Sequence, residues 1–219
     1  MKDQIERAID LVLEQGQNEF LDLLTRRGVN YTVRPDGIVD VDGNVIFLNI
    51  NLTKIPIKFG IVNGSFACSH NQLTSLIGCP EEIGGSFDCS DNLLTSLEGC
   101  PEEVGGNFYC HYNQLTSLQG APEKVKGYFD CSYNQLTSLE GSPKKVGKTF
   151  DCFHNQLTSL KGCPEEVGGI FHCDGNPVEF TKEDIELAKQ GKAPLGLPLS
   201  FVLMKNKEKE VKNRHERSN

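Results

Sequence analysis

A phrase of 21 residues is repeated through the middle of the chain, and it constrains the fold more than any other feature. Three residue types return at this interval without exception, and they form a phenylalanine, a cysteine and an asparagine column at Phe66, Phe87, Phe108, Phe129, Phe150 and Phe171, at Cys68, Cys89, Cys110, Cys131, Cys152 and Cys173, and at Asn71, Asn92, Asn113, Asn134, Asn155 and Asn176. A fixed short period predicts a solenoid, in which each coil buries its apolar edge only against its neighbours.

The internal pattern of the phrase predicts where each part of a coil lies. The phrase runs G-x-F-x-C-x-x-N-Q-L-T-S-L-x-G-x-P-x-x-V-G, and its F-x-C part alternates apolar and polar residues. This alternation predicts one short, half-buried strand per coil, and the stacked strands should form a parallel sheet. Leu73, Leu76 and their counterparts should point into the column, and the Val62 position should close the coil from the far side. We expect the Asn column, including Asn113 and Asn134, to be buried with its amides bonded to the backbone.

The nine cysteines do not form a disulfide framework. Six belong to the repeat, and Cys79, Cys100 and Cys163 share a second repeat position with Ala121 and Ser142. A position that accepts Cys, Ala or Ser requires a small side chain, and an odd total leaves one thiol unpaired in any scheme. In a reducing compartment such thiols act as small apolar core residues. A metal-binding or redox-responsive protein rich in cysteine remains an alternative interpretation.

Four regions are predicted along the chain. Residues 1–42 should form an N-terminal helical cap and hairpin, with one helix over residues 2–15, an interruption at Gly16, and a second helix from an N-cap at Asn18 to a stop at Gly28. The hairpin should turn at Arg34-Pro35-Asp36-Gly37 and join two strands between Tyr31 and Val41. Solenoids need such caps, because a terminal repeat otherwise exposes its core edge.

The remaining three regions are the repeats and the C-terminal segments. Residues 43–180 should hold the coils, beginning with a degenerate coil at Val45. Residues 181–204 should form a C-terminal cap, whose helix is opened by Thr181 with Asp184 as its capping-box partner. Residues 205–219 are almost entirely polar and are interpreted as a disordered basic tail.

The repeat resembles the leucine-rich repeat, whose general form is L-x-x-L-x-L-x-x-N-x-L. Phe66, Cys68, Asn71 and Leu73 take the places of its second Leu, third Leu, Asn and final Leu, and the resemblance covers about residues 43–180. The variant looks like the N-Q-L-T-S-L coils of bacterial and phage proteins, and it is similar to the repeats of secreted bacterial effectors. The resemblance implies a solenoid with a mostly irregular convex side and helical caps at both ends. The ubiquitin-ligase activity of such effectors belongs to a separate cysteine-containing domain and is not carried over.

Charge and composition exclude several function classes. A net charge of −8 argues against a general nucleic-acid binder, which would need a basic face. The first residues lack the apolar core of a signal peptide, and no apolar stretch approaches the length of a membrane span. The chain is therefore expected in the cytoplasm (in the host cytoplasm if it is phage-encoded), without membrane contact. No motif predicts a cofactor, a metal site or catalytic residues, so the chain is not expected to be an enzyme.

The positions that the repeat leaves free indicate a binding surface. Four of the five tyrosines and four of the five histidines fall immediately before, between or just after the Phe and Cys of a coil. Exposed aromatics mixed with carboxylates on a rigid sheet are typical of protein-binding hot spots. The expected partner-binding residues on the concave face are Tyr109, Tyr112, Tyr128, Tyr133, Phe153, His111, His154, His172, Asp88, Asp130 and Asp151.

The first functional hypothesis is a non-enzymatic module that binds another protein, such as a phage-encoded inhibitor of a host protein. A structural or assembly protein that self-associates is an alternative. A further alternative is that the Tyr, His and Asp residues of the expected surface serve no function, because positions that the repeat does not constrain drift in sequence.

Overall fold

Two short-stranded sheets, connected coil by coil, form the body of the protein. The computed structural model describes residues 16–191. The two sheets have eight and seven strands, and after an initial antiparallel hairpin every neighbouring pair of strands is parallel. Parallel strands joined through a closed 21-residue path produce a β-solenoid, so the predicted solenoid is confirmed.

The predicted F-x-C strand of each coil is present and forms the seven-stranded sheet, called here the Phe sheet. Phenylalanine faces inward and is fully buried from Phe66 to Phe150, while the next residue stays partly exposed. The strands are β3 (Val45–Ile46), β5 (Phe66–Ala67), β7 (Phe87–Asp88), β9 (Phe108–Tyr109), β11 (Phe129–Asp130), β13 (Phe150–Asp151) and β15 (Phe171–His172).

A second short strand in each coil forms the eight-stranded sheet, called here the Val sheet. Sequence analysis placed a valine at this position to close the coil but did not predict a strand there. Its inward residues from Val62 to Val146 are valine or isoleucine and are buried, Val167 is half-buried, and the outward residues are mostly Glu or Lys. The strands are β1 (Tyr31–Val33), β2 (Val39–Val41), β4 (Phe59–Val62), β6 (Glu82–Ile83), β8 (Glu103–Val104), β10 (Lys124–Val125), β12 (Lys145–Val146) and β14 (Glu166–Val167).

Stacked columns of identical residues fill the space between the sheets. The phenylalanine rings from Phe66 to Phe171 stack at centroid distances of 5.1 to 5.8 Å. Both leucines of the L-T-S-L segment are buried in each coil from Leu73 to Leu160. Burial of four to six apolar side chains per coil is the main stabilising contribution, at about 1.5–3 kcal/mol for each large side chain, because most strands of the coils have only two residues.

The asparagine column supplies the hydrogen bonds at the corner where the chain leaves the Phe sheet. The Asn113 amide nitrogen donates to the carbonyls of Cys89, Cys110 and His111 at 3.1, 3.1 and 3.3 Å. Its side-chain oxygen accepts from the Leu94 N–H at 2.9 Å. Asn92, Asn134 and Asn155 repeat this pattern and are also buried. The predicted role of the Asn column is therefore confirmed.

The N-terminal end is covered by a helix and the hairpin. Residues 16–26 are helical (α1), so the predicted interruption at Gly16 and the N-cap at Asn18 are wrong. A glycine within a helix costs only about 1 kcal/mol, which burial of Phe20 and Leu24 exceeds. Gly28 ends the helix as predicted, with a φ of 69°.

The hairpin and the C-terminal helix also agree with the sequence analysis. Strands β1 and β2 pair antiparallel, and the Gly37 N–H donates to the Arg34 carbonyl across the predicted turn. Helix α2 (Lys182–Lys189) begins at Thr181 with the predicted capping box to Asp184. The predictions for residues 2–15, 194–204 and 205–219 lie outside the described residues.

We predict that Asn113→Ala lowers the free energy of unfolding by about 1–3 kcal/mol. The substitution leaves the buried Leu94 N–H without an acceptor, while the Cys89, Cys110 and His111 carbonyls each lose one of two donors. Urea unfolding followed by circular dichroism measures the change. Gln114→Ala is the matched control, because Gln114 is the exposed neighbour in the same turn. Equal stability of the two variants would contradict the structural role of the column.

Candidate functional site

Seven aromatic or imidazole rings lie in contact across the outer surface of the Phe sheet. The central contact is between Tyr112 and Tyr133, whose rings stack at 4.4 Å with planes 13° apart. Successive contacts of 4.0 to 6.0 Å link the remaining rings to this pair. We call this set the aromatic strip: Tyr109, His111, Tyr112, Tyr133, Phe153, His154 and His172.

The core of the strip occupies a backbone position that does not suit bulky residues. Tyr112, Tyr133 and His154 have φ values of 52°, 52° and 48°, in the left-handed region. This conformation costs an ordinary L-residue about 1–2 kcal/mol, whereas Gly, Asn, Asp and His adopt it more readily. The flanking coils have Asn49, His70, Asp91 and Gly175 at the same repeat position. The fold therefore disfavours tyrosine here, and drift would be expected to replace Tyr112 and Tyr133 by one of these residues.

Three aspartates on the strands beside the strip are held by local hydrogen bonds. Asp88 and Asp130 each accept from the backbone N–H and the hydroxyl of the serine two residues later, at 2.6 to 3.0 Å. Asp151 accepts from the Phe153 N–H at 2.9 Å and lies 3.1 Å from His172 Nδ1. These contacts fix the carboxylates before any partner arrives, which lowers the entropy lost on binding.

His111 lies half-buried between the tyrosines and Asp130. Its Nδ1 atom is buried and makes no hydrogen bond, although Asp130 Oδ2 lies 3.3 Å away. A buried polar atom without a partner is unfavourable, so a small change in the ring or the carboxylate on binding would complete this contact.

The structure separates Tyr128 from the other predicted site residues. Tyr128 is exposed on the same sheet, but its ring contacts Lys148, whose Nζ lies 5.2 Å from the ring centroid. The Asn107 side chain connects the two parts, because it accepts from the Tyr128 N–H and donates to the Tyr109 hydroxyl. The predicted set therefore consists of one continuous strip with Tyr128 at its margin.

The position after each Cys is less open than the sequence analysis expected. Ser69, Ser90 and Ser132 were placed on the exposed face, and all three are buried. The reason is that the strand ends one residue before Cys, so strict alternation stops there. The hydroxyls of Ser90 and Ser132 donate to the aspartate two residues earlier. The Ser69 hydroxyl donates to Asp88 of the next coil.

Two exposed carboxylates near the strip were not selected from the sequence. Asp91 and Asp174 occupy the same repeat positions as Tyr112 and Phe153, in coils at the two ends of the strip. Their side chains are 49% and 82% exposed, more than those of Asp130 and Asp151. The repeat positions of Asp91 and Asp174 could have indicated from the sequence that they lie near the strip. Their exposure depends on the coils at the two ends of the strip.

The surroundings of two phenols of the strip, those of Tyr109 and Tyr112, favour the neutral form. Partial burial is the main cause that raises the pKa of Tyr109, and the Asp130 and Asp88 carboxylates add to it. Loss of solvent, followed by the neighbouring Tyr133 hydroxyl, raises the pKa of Tyr112. Both hydroxyls are therefore donors at neutral pH, which suits acceptor groups of a partner.

The outer surface of the Val sheet is a charged face of ordinary character. Lysine and glutamate of adjacent coils form exposed pairs, including Lys145 with Glu166 at 2.7 Å and Lys58 with Glu81 at 2.6 Å. Exposed pairs of this kind contribute about 0–1 kcal/mol each. This face provides a charged surface for controls and has no exposed aromatic cluster among its described residues.

The cysteine chemistry is that of a reduced core. All nine cysteines are free, seven are buried, and Cys100 and Cys163 keep partial exposure. The thiols of Cys89, Cys110, Cys131 and Cys152 donate to the carbonyl of the next coil at 3.3 to 3.4 Å. Within residues 16–191 no group of three or more His, Cys, Asp or Glu could hold a metal ion.

Comparisons with known proteins found no similar one: no protein-family model, curated protein or solved structure matches the chain. Across the described part of the chain, no helix has both the length and the apolar character needed to cross a bilayer.

We predict that Tyr112→Asn changes the free energy of unfolding by less than about 1 kcal/mol. The relief of the left-handed conformation offsets the lost ring stacking, which contributes about 0.5–1.5 kcal/mol. Asn49 shows that Asn takes this backbone position. Phe129→Ala is the control, since removal of a buried ring costs about 3–5 kcal/mol. A loss for Tyr112→Asn as large as that control would make the strip part of the scaffold.

We predict that stability falls steeply as the pH rises above about 9. Burial raises the pKa of the Cys89, Cys110 and Cys131 thiols, and of Cys163 to about 11. Unfolded thiols lose their protons near pH 8.5 while the folded ones keep theirs, so each contributes a loss of about 1.4 kcal/mol per pH unit above that value. Urea unfolding between pH 7 and 10 measures the slope.

Cys110→Ala separates the contribution of the thiols from the ionisation of Tyr and Lys. Removal of this one thiol should make the fall of the unfolding free energy with pH shallower by about 1.4 kcal/mol per pH unit. Thiol titration of the native protein should accordingly be slow, and nine groups should react quickly on denaturation. Rapid reaction of the buried thiols in the native state, or an unchanged slope in the variant, would support a redox-responsive protein instead.

Proposed function

We propose that the protein is a non-enzymatic binding module that recognises another protein through the aromatic strip. The observation that carries the proposal is the stack of Tyr112 on Tyr133, both held at a backbone position that favours Gly, Asn, Asp or His. Residues that are unfavourable for the fold yet clustered on one surface are expected where a surface has a task.

The exposure and rigidity of the strip fit protein recognition. Tyr112 and Tyr133 are 48% and 39% exposed, and tyrosine is enriched among binding hot spots. The hydrogen-bonded coils beneath the strip keep these rings in place, so little side-chain freedom is lost on binding.

The stacking geometry argues against nucleobases as ligands. Nucleobases are bound by stacking on an exposed ring face. In the central ladder the ring faces lie against each other, with centroids 4.4 and 4.9 Å apart. The strip therefore offers ring edges and hydroxyl groups, which suit the side chains and backbone of a polypeptide.

The finer parts of the proposal rest on the sequence resemblance. We assign the coils to the leucine-rich-repeat type and take the Phe sheet as the concave, binding side. A bacterial or phage origin and inhibition of a host protein in the cytoplasm are parts of the same proposal, and the N-Q-L-T-S-L repeats support them.

We predict that Tyr109→Ala with Tyr133→Ala weakens partner binding by about 2 kcal/mol or more, roughly 30-fold in Kd. A partner is first isolated from bacterial lysate on the immobilised protein, and its affinity is then measured by calorimetry. Thermal unfolding checks that the double variant remains folded. Glu102→Ala with Glu103→Ala on the Val sheet is the control and should retain wild-type affinity.

Loss of binding in the Glu102 and Glu103 variant, with full binding in the tyrosine variant, would overturn the proposal. If the isolated partner is a second copy of the chain, the protein is an assembly component and the first hypothesis fails.

A further inference from the structure

Charge is segregated between the two sheets. The outward positions of the Phe sheet, before, between and just after Phe and Cys in each coil from residue 44 to residue 175, include five aspartates and no lysine or arginine. Most lysines of the coils lie on the Val sheet or its turns, such as Lys124, Lys126 and Lys145. The aromatic strip therefore lies in a locally negative surface, apart from Lys148 at its margin.

The most accessible carboxylates lie at the two ends of the strip. Asp91 is next to Tyr112 in the preceding coil, at the point where the stack of rings stops. Asp174 lies in the last coil, where its Oδ2 is 3.3 Å from His172 Nε2. Between them the surface consists mainly of the ring edges of the strip. The geometry is thus an apolar and aromatic centre with one exposed negative charge at each end.

The separation of these ends defines a length of polypeptide. Asp91 and Asp174 are four coils apart, and parallel strands lie about 4.8 Å apart, so the distance along the solenoid is about 19 Å. An extended chain rises about 3.3 Å per residue, so about six residues cover this distance. An even number of residues returns the side chain to the same face of an extended segment.

We propose that the strip binds an extended basic segment of its protein partner, with two cationic side chains six residues apart. This inference rests on the proposed function and specifies the partner. One Arg or Lys pairs with Asp91, where it also meets the open end of the ring stack at Tyr112. The other cation pairs with Asp174. Apolar side chains at the two intervening positions on the same face lie on the ring edges.

Charge complementarity distinguishes this occupant from others. Carboxylates bind guanidinium groups through charge-assisted hydrogen bonds, and an aromatic ring beside the carboxylate adds a favourable cation–π contact. An acidic segment or a nucleic-acid backbone would meet five aspartates and no lysine or arginine at the outward positions of this face. The His70 ring, whose Nδ1 lies 3.1 Å from Asp91 Oδ2, orients that carboxylate but is itself exposed and can be displaced.

The test uses the full chain and three synthetic peptides that carry a neutral dye. The first peptide, Arg-Ser-Leu-Ser-Leu-Ser-Arg, places its two arginines and two leucines on one face of an extended chain. The second replaces both arginines by glutamate. The third, Arg-Arg-Ser-Leu-Ser-Leu-Ser, keeps the composition but brings the charges together. Fluorescence anisotropy at low and at high salt measures Kd for each.

We predict that the first peptide binds more tightly than the other two and that salt weakens its binding. Asp91→Asn with Asp174→Asn should raise its Kd about tenfold, since two charge pairs are lost. Both substitutions suit the fold, because Asn tolerates the left-handed backbone at position 91 and the Asp174 side chain is largely exposed. Glu102→Gln with Glu103→Gln changes the net charge equally and should alter Kd less than about twofold.

Three outcomes would overturn the inference: no preference for the first peptide over the reversed-charge peptide, equal binding of the third peptide, or equal weakening by the Glu102 and Glu103 control. None of them removes the proposed function if the Tyr109 and Tyr133 variant still loses the isolated partner. Conversely, the first peptide could bind as predicted while the tyrosine variant keeps the isolated partner. In that case the pairing of cations with Asp91 and Asp174 stands, and the proposal that the tyrosines bind the partner is wrong.

Discussion

The structure depends on pairing the backbone of each coil with the next coil over most of its length. Parallel strands account for only part of this pairing, because most strands have two residues and the rest of the coil is turn. The corner after the Phe sheet would leave carbonyls and N–H groups unsatisfied in the core, and the Asn column bonds them. The small Cys side chain allows adjacent coils to lie close together, and the Cys110 thiol donates to a backbone carbonyl of the next coil. Strict repetition in sequence follows from strict repetition in hydrogen bonding.

This pairing explains which parts of the fold could be predicted from the sequence. A residue with an obligatory task in every coil, such as Phe108, Cys110 or Asn113, recurs at every period, and its burial follows directly. The second strand of each coil was missed because two residues such as Glu103 and Val104 show no alternating pattern. The helical conformation of Gly16 in α1 was missed because a local helix penalty was weighed without the buried contacts of Phe20 and Leu24.

The candidate site was predictable in composition but not in geometry. The free positions between Phe and Cys could be identified by subtraction, so Tyr109 and Asp130 were found without a structure. The stack of Tyr112 on Tyr133 and the burial of Ser132 depend on backbone torsions that the repeat does not reveal. The exposure of Asp91 and Asp174 likewise depends on the ends of the strip, where the coils differ from one another.

The same periodicity that stabilises the solenoid allows the outward residues to change with little effect on stability. Each coil presents a few outward positions at a fixed spacing, and the column beneath does not change when these positions vary. Ser and Asn satisfy the fold at such sites, as the first coils show with Ser65, Ser86 and Asn49. Exposed tyrosines are confined to consecutive coils, two of them adopt a backbone conformation that disfavours them, and most lysines of the coils lie on the opposite sheet. Under the proposed function, selection for one partner acts on ring placement, backbone strain and charge together, whereas random substitution of free positions does not link the three.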